Sequence, residues 1–206
     1  MHAYQIVRAG TPLGQSGHAL ILLHGRGGSP RDMIALGHRF TQGDWHLAAP
    51  QAAGSTWYPY GFMEARDRNS PWLESALDVV HTLIGEIKHH LPADHIHVMG
   101  FSQGACLAAE SVARLPQHYG GVYAFTGGLI GKELDPSAYT GDLAGPPVYL
   151  SNSDDDPHVP LSRSKETLRI LEGMNARVTL DVFPGRSHTI DQQEIERARE
   201  LMRATV

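Results

Sequence analysis

One cysteine, Cys106, stands among 206 residues. No disulfide can close within the chain, and no thiolate cluster can hold zinc; a reducing cytoplasm suits this composition. Basic charge is also scarce. Seventeen Lys and Arg face 22 Asp and Glu, leaving −5 at pH 7, which argues against the basic face of a nucleic-acid binder and against a polybasic membrane patch. No apolar run approaches the roughly 20 residues of a membrane span. The opening segment MHAYQIVR lacks the apolar stretch of a secretory signal. Glycine and proline, at 22 and 13 residues, stay below the level of a low-complexity chain. Only histidine is abundant, with 13 residues, and it raises the question of a metal.

What is present is an alternation of apolar β-type runs and helical patterns, with no internal repeat and no long linker, so residues 1–206 read as one domain. Gly17 to His24 (GHALILLH) is a continuous apolar run, as expected of a strand covered on both faces. Ser29-Pro30-Arg31-Asp32 reads as a helix N-cap followed by proline. His46 to Pro50 is a second strand. Leu73, Leu77, Val80, Ile84, Ile87 and Leu91 mark one face of a long amphipathic helix that Pro92 ends. His95 to Phe101 reads as a central strand, with His95 and His97 on one of its faces, and Gln103 to Leu115 as an alanine-rich helix.

Further strands are expected at Val122–Thr126, Val148–Ser151 and Arg177–Phe183, and helices at Leu161–Glu172 and Gln192–Met202. Asp191 and Glu194 form a capping box for the last helix, with Ile190 and Ile195 as its staple. Residues 2–9 would add an antiparallel edge strand. The expected class is α/β, a mainly parallel sheet with helices on both faces.

Gly100-Phe101-Ser102-Gln103-Gly104 fits G-x-S-x-G. The pattern alone is common, but here it follows an apolar strand directly and opens a helix of small residues. In that setting a serine hydroxyl is pushed out above a sheet. A serine needs a base, and the base needs an orienting group. Where a nucleophile sits on such a turn, the chain order is serine, acid, histidine. Two histidines follow an acidic loop placed after Ser102. His158 lies two residues beyond Asp154-Asp155-Asp156, too close to reach both that run and the serine. His188, in Pro184-Gly185-Arg186-Ser187-His188, is the better base. Asp156 is the preferred acid because Pro157 biases it towards extended backbone; Asp154 is its competitor. Oxyanion donors are expected from the Gln103 amide and from the turn His24-Gly25-Arg26-Gly27-Gly28, with Arg26 as the donor.

These segments bring a resemblance into focus. LILLHGRGG (20–28), AAPQA (48–52), VMGFSQGACLA (98–108), AFTGGL (124–129), DPHVP (156–160) and GRSH (185–188) resemble, in order, the phospholipase/carboxylesterase family of α/β-hydrolases, which includes acyl-protein thioesterases. The resemblance implies an α/β-hydrolase fold without a large cap. It implies Ser102 as nucleophile, Asp156 as acid, His188 as base, and the Arg26 and Gln103 amides as oxyanion hole, with no metal and no cofactor. One departure stands out: relatives often carry His-Gly before the acid loop, where this chain has Asn152-Ser153.

The expected reaction is hydrolysis of small acyl or aryl carboxylic esters or of thioesters. The alternatives are an acyl-protein thioesterase or lysophospholipase, and a binding protein on a hydrolase scaffold. Aromatic residues of the loop after the second strand, Trp57, Tyr58, Tyr60 and Phe62, are expected to line the substrate pocket, with Met33 and Leu129 completing its wall. The Arg26 guanidinium is expected to attract a substrate carboxylate. Cys106 reads as packing, and no third ligand accompanies His95 and His97 at metal spacing. An exposed apolar lip would let the chain pair as a homodimer.

Overall fold

The computed structural model describes residues 1–205. Seven strands form a single sheet: β1 (Ile6–Gly10), β2 (His18–Leu23), β3 (Trp45–Pro50), β4 (Ile96–Phe101), β5 (Gly121–Phe125), β6 (Pro147–Asn152) and β7 (Arg177–Val182). Their spatial order is β1-β3-β2-β4-β5-β6-β7. Only β1 is antiparallel, pairing Ile6 with Pro50 and Gly10 with His46; the other pairs run parallel. The helices are α1 (Pro30–Gly37), α2 (Arg66–Asn69), α3 (Trp72–Lys88), α4 (Gln103–Arg114), α5 (Leu161–Gly173) and α6 (Gln192–Arg203). Among the described residues no helix is long and apolar enough to cross a membrane.

The two-sided burial anticipated from the unbroken apolar run of β2 is observed. Ala19, Ile21 and Leu23 join the core shared with α3, α4 and α5. Leu20 and Leu22, pointing the other way because strand side chains alternate, join the core under α1 and α6. The amphipathic stripe on α3 is buried from Leu73 to Ile87, although the helix stops at Lys88, before Pro92. The last helix carries its capping box in full: Asp191 accepts from the Glu194 amide, and Glu194 reaches back to the Asp191 amide. Ile190 packs against the cluster that contains buried Ile195.

One local expectation fails. His95 lies in a short turn, Ala93–His95, rather than on the strand, because its amide is taken by the Pro92 carbonyl. Its Nδ1–H donates to the Gly17 carbonyl, and its ring stacks on His18 with centroids 4.7 Å apart. His97 is on β4 and fully buried between Trp45 and Tyr123.

What places Ser102 is the closeness of β4, α4 and β2. A Cβ on Gly100 would sit 2.1 Å from the Gly104 carbonyl oxygen, and one on Gly104 would sit 2.1 Å from that of Leu23. Backbone cannot yield to such contacts as a flexible side chain would. Gly104→Ala should therefore destabilise the fold by about 3 kcal/mol or more, read as a lowered midpoint in urea unfolding. A second expectation concerns acid. Burial, reinforced by His18 and His95, drives the His97 pKa down to about 3, whereas an unfolded histidine takes up its proton near pH 6.5. Between those values the unfolded chain binds the extra proton, so stability falls as pH falls, by up to about 1.4 kcal/mol per pH unit. His97→Gln should flatten that slope in urea titrations between about pH 6 and 4.5.

Candidate active site

Ser102 lies between β4 and α4 with φ 53° and ψ −118°. This left-handed backbone is costly for a residue with a side chain and is held only where its surroundings enforce it. The enforcement is visible: the Ser102 amide donates to the Phe125 carbonyl on the neighbouring strand, and its carbonyl accepts from the Cys106 amide one turn into α4. The hydroxyl is thereby held above the carboxyl edge of the sheet.

His188 approaches from the loop between β7 and α6. Its Nε2 is 2.8 Å from Ser102 Oγ, and its Nδ1 is 2.8 Å from Asp156 Oδ2. An ionised carboxylate only accepts, so Nδ1 carries the proton and Nε2 is left to receive the serine hydroxyl. Asp156 arrives from the loop after β6. Its second oxygen, Oδ1, accepts from the amides of His158 and Val159, both at 2.9 Å. Burial would raise this carboxyl, but the bonds from His188 and the two amides outweigh it and hold it below the usual value. Asp154, the competitor, is spent elsewhere: its Oδ1 accepts from the Gly185 amide and pins the turn that carries His188.

Asn152 is fully buried and braces the acid loop. Its side-chain NH2 donates to the Val159 carbonyl and to Ser164 Oγ. The histidine loop has a brace of its own that sequence reading did not reveal. Arg186 donates to Thr126 Oγ1 at 3.0 Å and to the carbonyls of Ser187 and Thr189, and it lies 3.5 Å from Glu194 Oε2. Glu194 is fully buried and also accepts from Ser151 Oγ. One carboxylate therefore caps α6, meets the end of β6 and balances the arginine two residues before His188. In the sequence its only signal is the capping box.

On the opposite side, the amides of Arg26 and Gln103 face no hydrogen-bond acceptor among the described residues. Gln103 opens α4, where backbone donors have no partner within the helix. The Gly27 amide, by contrast, is tied to the Ser55 carbonyl and that of Gly28 to Gly25. The side chains of Arg26 and Gln103 grip the aromatic loop. Arg26 donates to the carbonyls of Tyr58, Pro59 and Tyr60. Gln103 accepts from the Trp57 amide and donates to the Tyr58 carbonyl. The Arg26 guanidinium, expected to attract a substrate carboxylate, gives three of its five N–H groups to these loop carbonyls.

A cavity of about 390 Å³ opens over Ser102, lined by Arg26, Tyr58, Tyr60, Phe62, Gln103 and His188. Cys106, His158, Gly61 and Val159 also line it; none of these was anticipated as a pocket residue. Three anticipated ones are absent from the wall. Met33 is packed under the sheet with Leu20, Leu22 and Leu47. Trp57 is fully buried, its indole N–H donating to the His24 carbonyl. Leu129 is fully buried in the core, with its amide on Thr167 Oγ1 and its carbonyl on Arg163. Burial pushes the Cys106 thiol up to about 12, so it stays protonated and is no rival nucleophile.

A family model described as Phospholipase/Carboxylesterase matches residues 6–206. The chain belongs to this family. A solved phospholipase/carboxylesterase from Dyadobacter fermentans shares 44% identity with it at a TM-score of 0.95, covering 98% of this chain and 97% of that one. The putative hydrolase MhqD of Bacillus subtilis is 29% identical over 94% of this chain and 96% of its own length. Acyl-protein thioesterase 1 of Debaryomyces hansenii is 28% identical over 70% of this chain and 63% of its own. The match spans between about half and two thirds of the first curated relatives. The fold is the α/β-hydrolase fold of the phospholipase/carboxylesterases, and the motif segments read in the sequence fall within the matched range.

The buried Arg186–Glu194 pair yields a prediction about how this family member holds its histidine loop. Arg186→Met leaves the Glu194 charge without its partner and should cost about 3 kcal/mol, measured by urea unfolding at neutral pH. Amide hydrogen exchange should quicken across residues 184–190, while the strands keep their protection.

Proposed function

We propose that this chain is a serine hydrolase that cleaves carboxylic esters through Ser102, His188 and Asp156, with an acyl-enzyme intermediate. One observation carries the reading: an unbroken relay of two 2.8 Å contacts from the serine oxygen through the imidazole to a carboxylate. As Ser102 Oγ attacks the ester carbonyl, His188 Nε2 takes its proton, and Asp156 holds the ring and stabilises the cation that forms. Charge builds on the former carbonyl oxygen, and the free amides of Arg26 and Gln103 are its donors. Each such donor contributes about 2.7–4 kcal/mol to transition-state stability. His188 then gives the proton to the departing alcohol. Water activated by the same imidazole releases the acid.

Turnover makes no call on a metal, since the nucleophile is generated by the base. The name of the Debaryomyces relative favours thioesters as a second substrate class; the same relay serves both, because the leaving thiol needs less help than an alcohol. A protein that only binds esters in this cavity is the reading from a different class.

A fluorophosphonate probe separates catalysis from binding, because only an activated serine reacts. Labelling at Ser102, and a fall in kcat of about 10⁴-fold or more for Ser102→Ala on p-nitrophenyl esters, are the expected results. Unlabelled wild-type protein, or a Ser102→Ala variant of near-normal rate, would refute the assignment.

A further inference from the structure

The wall of the cavity carries charge of one sign. Arg26 lines it, and no aspartate or glutamate does. The two histidines of the wall, His158 and His188, are neutral or positive but never negative. The carboxylate of the relay, Asp156, has its side chain wholly out of solvent, with Oδ2 on His188 and Oδ1 on two amides. The chain as a whole bears −5, so a positive cavity runs against its average charge.

Arg26 is exposed, so a ligand can reach its side chain. Arg66 and Arg68, further along the same loop, are matched by glutamates: Arg66 by Glu74 and Glu110, Arg68 by Glu64. Arg26 forms no ion pair among the described residues. Its partners are the carbonyls of Tyr58, Pro59 and Tyr60, and Tyr58 and Tyr60 are themselves wall residues. Carbonyls are neutral acceptors, so they fix the guanidinium beside the cavity and leave its charge uncancelled. Of its five N–H groups, the Nε–H and one on Nη1 have no acceptor among the described residues. A guanidinium already held in place loses little freedom when it pairs with an anion. The reacting carbon decides which part of an ester comes near it. Charge on the carbonyl oxygen is assigned to the amides of Arg26 and Gln103, while the leaving oxygen must lie at His188 Nε2 to receive its proton. The Arg26 side chain starts from the oxyanion side, across from His188, so it accompanies the acyl part rather than the leaving group.

We infer that the Arg26 guanidinium is a subsite for a carboxylate carried by the acyl group, so that the preferred substrates are monoesters of dicarboxylic acids rather than esters of plain fatty acids. This deepens the ester-hydrolase reading above and rests on it.

The test compares three p-nitrophenyl esters of matched chain length: the anionic hydrogen adipate, the neutral methyl adipate and the cationic 6-(trimethylammonio)hexanoate, each corrected for background hydrolysis. At low salt the wild type should favour the anionic ester over the cationic one by about tenfold or more in kcat/KM, with the neutral ester between them. About 0.5 M NaCl should shrink that ratio, because exposed charges are screened. Arg26→Gln also loosens the loop and should slow every ester. The ratio cancels that common loss and should fall close to one, whereas Arg26→Lys should keep part of it. Labelling by a neutral fluorophosphonate reports that a variant retains its fold and its serine. Should Arg26→Gln fail to label, the salt series decides: a wild-type ratio indifferent to NaCl overturns the inference. The inference alone also falls if the wild type shows no preference for the anionic ester, or if Arg26→Gln labels and keeps that preference. It falls as well if a carboxylate is favoured only on the leaving group, as in 4-(hexanoyloxy)benzoate. Wild-type protein that neither turns over any ester nor labels overturns the hydrolase reading, and this one with it.

Discussion

The whole site depends on how closely the backbone of α4 lies against β2 and β4. The space between Gly100, Gly104 and Leu23 is too small for a Cβ at either glycine. That packing forces the chain from strand to helix in one residue, and the residue is Ser102, held at positive φ. A longer turn would relax the backbone but let the hydroxyl move. Here the strain is offset by two backbone hydrogen bonds to Ser102 and by an almost wholly buried α4. Position is thus set by main chain, which has few alternatives.

Two assemblies close on this fixed point, one held by a buried ion pair and the other by side chains that end on backbone carbonyls. On the side of the acid and base, Asp154 fastens the Gly185 turn, and Arg186 with Glu194 fastens the other end of the histidine loop. On the opposite side, Arg26 and Gln103 each contribute a free amide and a side chain that grips residues 57–60. The same two residues therefore couple the proposed oxyanion donors to the cavity wall. A movement of the aromatic loop would be transmitted to those donors, because their side chains end on its carbonyls.

Much of this was legible in the sequence because local signals and topology agree. The β2 run, the glycine spacing at 100–104 and the capping box at 191–194 each report on a few consecutive residues, whose conformation is decided by sterics and backbone satisfaction. The order of serine, acid and histidine narrowed the partners, and the coordinates bring His188 within hydrogen-bond reach of both Ser102 and Asp156. What was not legible is which way a side chain turns once its element is docked. Met33 is apolar and near the 24–28 turn in sequence, but α1 lies under the sheet and takes it to the second core. Trp57 and Tyr58 are adjacent aromatics; one is consumed by the His24 carbonyl and the other reaches the cavity. Arg26 has the charge to bind a carboxylate, and only the three carbonyls arranged around it by the 57–60 loop reveal that it also clasps that loop. His95 was misplaced because its neighbours look like strand, while a single amide bond to Pro92 ends the turn there.

The buried charges fit a common rule. Glu110 is fully buried and gathers Arg66, Arg114, Tyr139 and the Ile130 amide. Arg163, also buried, collects the carbonyls of Leu129, Gly131 and Lys132. Glu194 does the same for the histidine loop. Such groups contribute little net stability against apolar replacements, since desolvation nearly cancels their attraction. They are directional, however, and an apolar side chain of equal volume would tolerate several loop positions that a hydrogen-bonded charge does not. Each sits where a loop without regular structure must be held to the sheet: 128–134 by Arg163 and Glu110, 184–190 by Glu194 through Arg186. A site assembled at loop ends needs more orientation than apolar contact supplies, and in this chain the directional bonds of three buried charges supply it.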